Sequence, residues 1–141
     1  MRTALKAIGA AIIATALSIG AASGEELTAA HSRAIVERQF DAFARDDAAA
    51  AYALADPAIE TMFGDADHFL AMVRDNYPPV YRHRSVEFGA FAESGDDATL
   101  QATLVDDDDV AWMALYKLRR EANGDWLILG CVLAKLDGTE I

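Results

Sequence analysis

Residues 110–135 read VAWMALYKLRREANGDWLILGCVLAK, two strand-like runs joined at Asn123-Gly124. Asn-Gly is a strong signal for a two-residue hairpin, because a type I′ turn needs positive φ at both of its central residues. Two earlier runs alternate apolar and polar side chains, which is typical of half-buried strands. Short acidic turns separate the runs, so the sequence predicts a meander of four antiparallel strands. The predicted strands cover residues 85–92, 98–105, 110–121 and 126–135.

The chain before these strands shows the helical period instead. Val36, Phe40 and Phe43 fall at i, i+4 and i+7 and form one apolar stripe. Aspartates stand at helix-capping positions, and Asp56-Pro57 combines a cap with proline at the first helical position. Tyr77-Pro78-Pro79 predicts a rigid, extended connector to the first strand. The predicted helices cover residues 28–45, 48–55, 57–63 and 66–76.

Helices that come first and strands that follow indicate the α+β class, because alternating units would instead build a parallel sheet. We predict three to four N-terminal helices packed in a curved four-stranded antiparallel sheet. A sheet that wraps around helices makes a cone, and its open end is a pocket. The first half of Val110–Glu121 is apolar on both faces, as expected of a strand that lines a cavity or is covered on two sides.

The first 24 residues have the layout of a secretory signal peptide. Arg2 and Lys6 precede an apolar, alanine-rich run over 7–22, and no acidic residue occurs before Glu25. We therefore predict a signal peptide at 1–24 and a single mature domain at 25–141. The protein is expected to be exported, to the periplasm or the medium of a bacterium, with no stable membrane insertion after cleavage. A retained membrane anchor is the alternative, although the run is short for a spanning helix.

Composition excludes several classes of function. The 141 residues carry 12 Lys+Arg against 23 Asp+Glu, and this net charge of −11 argues against a nucleic-acid partner. A lone cysteine, Cys131, excludes a disulfide framework and a multi-cysteine zinc site. The three histidines show no metal-ligand spacing, and Asp106–Asp109 reads as a solvated turn rather than a calcium loop. We predict neither a metal nor a cofactor.

Five segments carry a family resemblance, and they span roughly residues 30–135. They are Val36–Phe43, Phe69–Arg74, Tyr77–Arg82, Trp112–Tyr116 and Trp126–Leu133. Together they resemble an uncharacterised bacterial family, domain of unknown function 4864, within the nuclear transport factor 2-like (cystatin-like) superfamily. The resemblance implies the cone fold. It does not choose a function, since the superfamily includes isomerases, dehydratases, hydrolases and binding domains.

The first functional hypothesis is a non-enzymatic domain that binds a small apolar or anionic ligand, or a protein partner, through the cone. Proline-stiffened tyrosines and the arginines beside them could form its mouth, and aromatic residues of the third strand could line its wall. The candidate ligand-binding residues are Tyr77, Tyr81, Arg82, Arg84, Trp112 and Tyr116.

The second hypothesis is a small lyase or isomerase with acid–base residues in an apolar cavity. Its candidate proton donors are His68, Tyr52 and Tyr116, and Asp67 would complete a base–acid set. The third hypothesis is a structural module that forms a homodimer through an apolar outer sheet face. That face would contain Met113, Leu115, Leu127, Leu129 and Leu133.

Overall fold

The computed structural model describes residues 24–136, so the predicted signal peptide, apart from Gly24, lies outside the described residues. Within this range helices come first and strands follow. The helices are α1 (Gly24–Ala44), α2 (Ala48–Ala53), α3 (Pro57–Phe63), α4 (Ala66–Asn76) and α5 (Pro78–Tyr81). The strands are β1 (Ser85–Ser94), β2 (Asp97–Val105), β3 (Ala111–Arg120) and β4 (Trp126–Leu136).

The four strands form one antiparallel sheet in the order β1-β2-β3-β4, which confirms the predicted meander and the α+β class. Leu100, Tyr116 and Cys131 are neighbours across β2, β3 and β4 and point to the same face. The helices cover this inner face, and α1 contacts β1, β2 and β4. The sheet and the helices therefore enclose one hydrophobic core.

Three aspartates begin helices, as the sequence predicts. Asp47, Asp56 and Asp65 each accept a hydrogen bond from a backbone N–H in the first turn of α2, α3 and α4. Such caps satisfy amides that have no partner inside the helix, and each contributes about 0.5–2 kcal/mol. The caps explain why three short helices, of which α4 is the longest, begin where they do.

The two prolines do not form the extended connector that we predicted. Pro78 and Pro79 open α5, a single helical turn that ends at Tyr81. Proline fits a first turn because its fixed φ is helical and the missing N–H needs no partner there. Tyr77 itself has φ −130° and ψ 55°, outside the helical region, as expected of a residue before proline.

Two bulges change which side chains face the core. In β1 the register shifts between Phe88 and Phe91, so Phe91 takes the inward position that simple alternation assigned to Ala90. In β4 Gly130 pairs with Lys117, whereas Ile128 pairs with Leu118, so Leu129 is the additional residue. Each bulge inserts one residue, and every later side chain of that strand moves to the other face.

The β4 bulge corrects the predicted outer face. Leu133 pairs with buried Ala114 and lies on the inner face, whereas Val132 pairs with Leu115 on the outer one. Leu115 is 37% exposed and Val132 is 68% exposed. The outer face thus has an apolar column on β3 and β4, but a homodimer through it stays a prediction.

A matched pair of substitutions tests which face of the sheet is buried. We expect Leu104→Ala to lower the free energy of unfolding by about 2–5 kcal/mol, because Leu104 is fully buried and its loss leaves a cavity. The same change at Leu115, on the outer face, should cost less than about 1 kcal/mol. Urea unfolding followed by circular dichroism measures both. Equal losses would contradict the assignment of the faces.

Candidate functional site

A cavity of about 220 Å³ lies inside the cone, between α3, α4 and the inner face of β3 and β4. Its lining runs from Tyr116, 1% exposed, to Met62, 71% exposed, so the cavity connects the sheet with the surface. The wall is mostly apolar: Phe43, Ile59, Met62, Phe63, Phe69, Met72, Val73, Val80 and Ile128. Polar side-chain atoms come from Gln39, Tyr77, Tyr116 and Cys131.

Tyr116 lies at the inner end of this cavity. It is on the inner face of β3, and the ring of Phe40 from α1 packs edge-on against it, with centroids 5.9 Å apart. Its hydroxyl is buried and has no hydrogen-bond partner among residues 24–136. Buried tyrosine hydroxyls usually find a partner, and a buried group without one costs about 1–3 kcal/mol. Such a group in an apolar cavity is where a ligand atom would supply the missing bond.

The Cys131 thiol is a polar neighbour of Tyr116, because the two residues pair across β3 and β4. Burial raises the pKa of Tyr116 well above its usual range, and the neighbouring Cys131 raises it further. Burial likewise raises the pKa of Cys131 to about 12. A thiol is a weak hydrogen-bond acceptor, so it substitutes poorly for an oxygen partner. Both groups are neutral at physiological pH, and Cys131 is not an activated nucleophile.

The rim of the cavity is formed by α3, which is attached mainly at its base. The Asp56 N–H donates to the Ile128 carbonyl at 2.8 Å, and the Ile128 N–H donates to the Leu54 carbonyl at 2.9 Å. The Tyr52 hydroxyl donates to the Glu60 carbonyl and ties the middle of α3 to α2. None of the α3 residues is buried, so this helix presents its apolar side chains to the cavity and the surface.

A pair of carboxyl groups lies beneath α3. The Glu121 side chain shares a hydrogen bond with buried Asp56, and Glu121 Oε1 is buried without a partner within residues 24–136. The hydrogen bond to Asp56 raises the pKa of Glu121, and burial and the charge of Asp56 add to the shift. Burial opposes ionisation of Asp56, but the hydrogen bonds from Glu121 and Ala58 hold its pKa below the usual value. As the pH rises, Asp56 therefore loses its proton before Glu121 does.

This carboxyl pair predicts a loss of stability as the pH rises above 4.5. Since the pKa of Glu121 is raised above 4.5, its contribution is complete below that pH and is lost as the pH rises through the folded-state value. Asp56 acts in the opposite direction, and its contribution is lost as the pH falls below 3.8. We expect Glu121→Gln to remove the loss of stability that accompanies ionisation of Glu121, because the amide still donates to Asp56 and cannot ionise.

Urea unfolding at a series of pH values checks this expectation. Asp125→Asn serves as the control, because Asp125 is exposed and belongs to the neighbouring hairpin turn. An unchanged pH profile in Glu121→Gln would contradict the raised pKa of Glu121.

The structure does not assemble the acid–base set that we predicted. His68 is exposed, and its Nδ1 lies 2.8 Å from the Asp65 carboxylate, whose pKa is lowered first by the hydrogen bond from the His68 backbone. Asp67 is also exposed. On α4, Phe69 and Val73 define the buried side, and His68 and Asp67 lie on the helix surface turned away from it. Tyr52 does not line the cavity.

The arginines and the tyrosine that we predicted at the mouth of the cone bond to other residues of the protein instead. Arg82 donates to the Phe43 carbonyl and to Asp46 Oδ2, and its guanidinium stacks 3.9 Å above the Tyr81 ring. The Tyr81 hydroxyl donates to Asp46, which is the main reason that the pKa of Asp46 is lowered. Arg84 forms an ion pair with Asp109. These residues connect α5 and β1 to neighbouring loops, and they do not line the cavity.

Tyr77, Trp112 and Tyr116 are the predicted ligand-binding residues that do lie at cavities. Tyr116 and Tyr77 line the cavity in the cone, whereas Trp112 lines a second, shallower hollow of about 650 Å³. We call this hollow the Trp112 groove. Its lining comprises Met72, Asn76, Tyr77, Pro78, Pro79, Asp106, Trp112, Cys131, Val132 and Leu133.

Sequence reasoning missed several residues of the site. Cys131 entered only as a lone cysteine, and Gln39 was not singled out, although it is buried and donates to the Ala51 carbonyl at 3.2 Å. Met62, Phe63 and Met72 were assigned to helices without a role. One signal could have identified the rim. Helix α3 has an apolar side but is too short to bury that side in the core.

Two classes of feature are absent from the described part of the chain. Within residues 24–136, no three His, Cys, Asp or Glu side chains come together in a way that could hold a metal ion. No helix in that range is long and apolar enough to cross a membrane.

The chain is similar to a protein family and to solved structures. The model of a family described as a domain of unknown function (DUF4864) matches residues 25–141. No curated protein matches the chain. A solved structure from Silicibacter pomeroyi DSS-3, described as an NTF-2-like protein of unknown function, is 19% identical, with a TM-score of 0.53. The match covers 78% of this chain and 97% of that one, and at this identity it shows the fold alone.

Proposed function

Because this chain belongs to the DUF4864 family, whose description assigns no activity, we propose a function from the cavity itself. The protein is a non-enzymatic domain that binds a small, uncharged and mostly apolar molecule inside the cone. The observation that carries the proposal is the buried Tyr116 hydroxyl, which faces an apolar cavity and lacks a partner in the described range 24–136.

The size of the cavity limits the ligand. An engineered cavity of about 150 Å³ lined by apolar side chains binds benzene. The cone cavity, at about 220 Å³, therefore has room for one ring and a few further atoms. Phe43, Phe69 and Ile128 would contact such a ring.

The chemistry of the cavity limits the polar part of the ligand. Tyr116 stays protonated because its pKa is raised by burial, so its hydroxyl can donate to an acceptor such as a carbonyl oxygen. An ionised ligand would lose its hydration without gaining a charged partner, which is costly in an apolar site. We therefore favour a neutral ligand over the anionic one that the sequence left open.

The arrangement favours binding over catalysis. Among the described residues that line the cavity, none is a His, Asp or Glu, whereas a general base must reach the proton that it removes. His68 and Asp67 lie on the surface of α4, and the Tyr52 hydroxyl is bonded to the Glu60 carbonyl. The lyase or isomerase alternative stays a prediction that no contact in the site favours.

Acetophenone and ethylbenzene provide a direct test, because they differ mainly in the carbonyl oxygen. We expect the wild-type protein to bind the ketone, and Tyr116→Phe to bind it about fivefold more weakly, since one hydrogen bond contributes about 1 kcal/mol. Binding of ethylbenzene should be unchanged or tighter in that variant. Isothermal titration calorimetry measures both affinities.

Tyr81→Phe is the matched control for this test, because Tyr81 bonds Asp46 and does not line the cavity. It should bind both probes as the wild type does. Equal losses for ketone and hydrocarbon in Tyr116→Phe would sink the assigned role of the hydroxyl, and the absence of binding by either probe would sink the proposed function.

We also propose that the domain acts after export. The basic, then apolar, then small-residue pattern of 1–24 supports this, and the family match begins at residue 25, beyond that segment. The intact mass of the protein from the exported fraction should equal that of residues 25–141. The mass of the full 141 residues in a membrane fraction would refute cleavage.

A further inference from the structure

The Trp112 groove borders the cavity in the cone. Met72, Tyr77 and Cys131 line both, and we call the boundary at these three side chains the passage. Tyr116 lines the cavity and pairs with Cys131 across the sheet. Tyr116, whose hydroxyl has no bonding partner in residues 24–136, is therefore a direct neighbour of the passage.

The groove lies along β4 and reaches Trp112 on β3. Its lining includes Val132 and Leu133 of β4, and Leu133 and Pro79 form apolar walls. Tyr116 and Trp112 both lie on the inner face of β3, four positions apart, which corresponds to about 13 Å at about 3.3 Å per residue.

Trp112 is held as a fixed platform at the far end of the groove. Its Nε1 donates to Asp106 Oδ2 at 2.9 Å, and Asp106 Oδ1 accepts from the N–H groups of Asp108 and Val110, each also at 2.9 Å. These three bonds keep the carboxylate ionised and the indole in one orientation. A carboxylate at the end of the groove, on a protein with net charge −11, disfavours an anionic ligand there.

We infer that the cone and the Trp112 groove together bind one elongated, neutral molecule that carries a hydrogen-bond acceptor between two apolar arms. A ring or short branched arm fills the cone, the acceptor meets the Tyr116 hydroxyl at the passage, and a longer alkyl arm lies along Leu133 against Trp112. Aryl alkyl ketones and neutral esters have this chemistry. The inference rests on the proposed function, and it adds the second arm and the place of the acceptor.

Three probes test the inference on the purified protein: acetophenone, 1-phenyloctan-1-one and 1-phenyloctane. The long ketone has six more methylenes than acetophenone, and each fully buried methylene tightens binding about fourfold. The groove would cover the alkyl chain of the long ketone on one side only. We therefore expect this ketone to bind at least about tenfold more tightly than acetophenone. It should also bind about fivefold more tightly than 1-phenyloctane, which lacks the acceptor.

Variants distinguish the two arms. Trp112→Ala should bring the long ketone close to the affinity of acetophenone and leave acetophenone unchanged, whereas Tyr116→Phe should weaken both ketones. Leu133→Ser is a second groove variant with the same expected pattern, in case the loss of Trp112 disturbs the Asp106 turn. Leu115→Ala, on the outer face of β3, is the control that should change neither affinity.

The outcomes separate the inference from the proposed function. If acetophenone binds and depends on Tyr116 but the long ketone binds no more tightly, the groove has no part in the site and the inference is overturned while the proposed function stands. If two molecules of the long ketone bind per chain, the cone and groove are separate sites and the inference is again overturned. If none of the probes binds, both fail.

Discussion

The structure depends on covering one face of a curved four-stranded sheet. The inner faces of β2 and β3 carry fully buried Leu100, Leu104 and Leu118, which would face water without the helices. The stripe of Val36, Phe40 and Phe43 on α1 covers the middle of that face, where the pairing of β2 with β3 is unbroken. The hydrophobic effect thus determines where α1 lies, and the shorter helices cover what remains.

That remaining cover is incomplete, and the cavity results from it. Helix α3 buries none of its residues and is attached through backbone hydrogen bonds at Leu54 and Asp56 to Ile128. A helix of this length covers less of the sheet than α1 does, although the Tyr52 hydroxyl also holds its middle. The space beneath it therefore stays open down to Tyr116. The rim contains Met62 and Met72, whose flexible side chains can adapt to a bound molecule.

The polar groups of the molecule divide into two kinds. Arg82, Tyr81 and Asp46 satisfy one another and connect distant parts of the chain, and Asp106 does the same for Trp112 and the turn before β3. Tyr116, by contrast, is buried with a hydroxyl that no group within residues 24–136 satisfies. A well-packed protein avoids such groups, and departures from that rule concentrate at functional sites. This contrast separates residues that stabilise the fold from the residue on which the proposed ligand site depends.

Local chemistry was sufficient to predict the elements of this fold. Aspartate caps, the Asn123-Gly124 turn and the change from helical to strand period act between residues close in sequence, so the starts of α2, α3 and α4, the meander and the α+β class could be predicted. The first helix begins at Gly24, four residues before the predicted start. The family resemblance, now confirmed by the match over residues 25–141, agreed with the cone. The helical turn at Pro78–Tyr81 was missed because proline is compatible both with an extended connector and with a first helical turn.

The composition of the site was decided only by tertiary structure. A one-residue bulge at Leu129 moved Leu133 to the inner face and Val132 to the outer one, and alternation along the sequence carries no sign of such an insertion. His68 and Tyr116 looked equally suitable as proton donors in the sequence. The rotation of α4 turned His68 to the solvent, whereas the register of β3 placed Tyr116 against the cavity. Burial and unsatisfied hydrogen bonding depend on which residues distant in sequence come together, and that is settled only when the helices pack on the sheet.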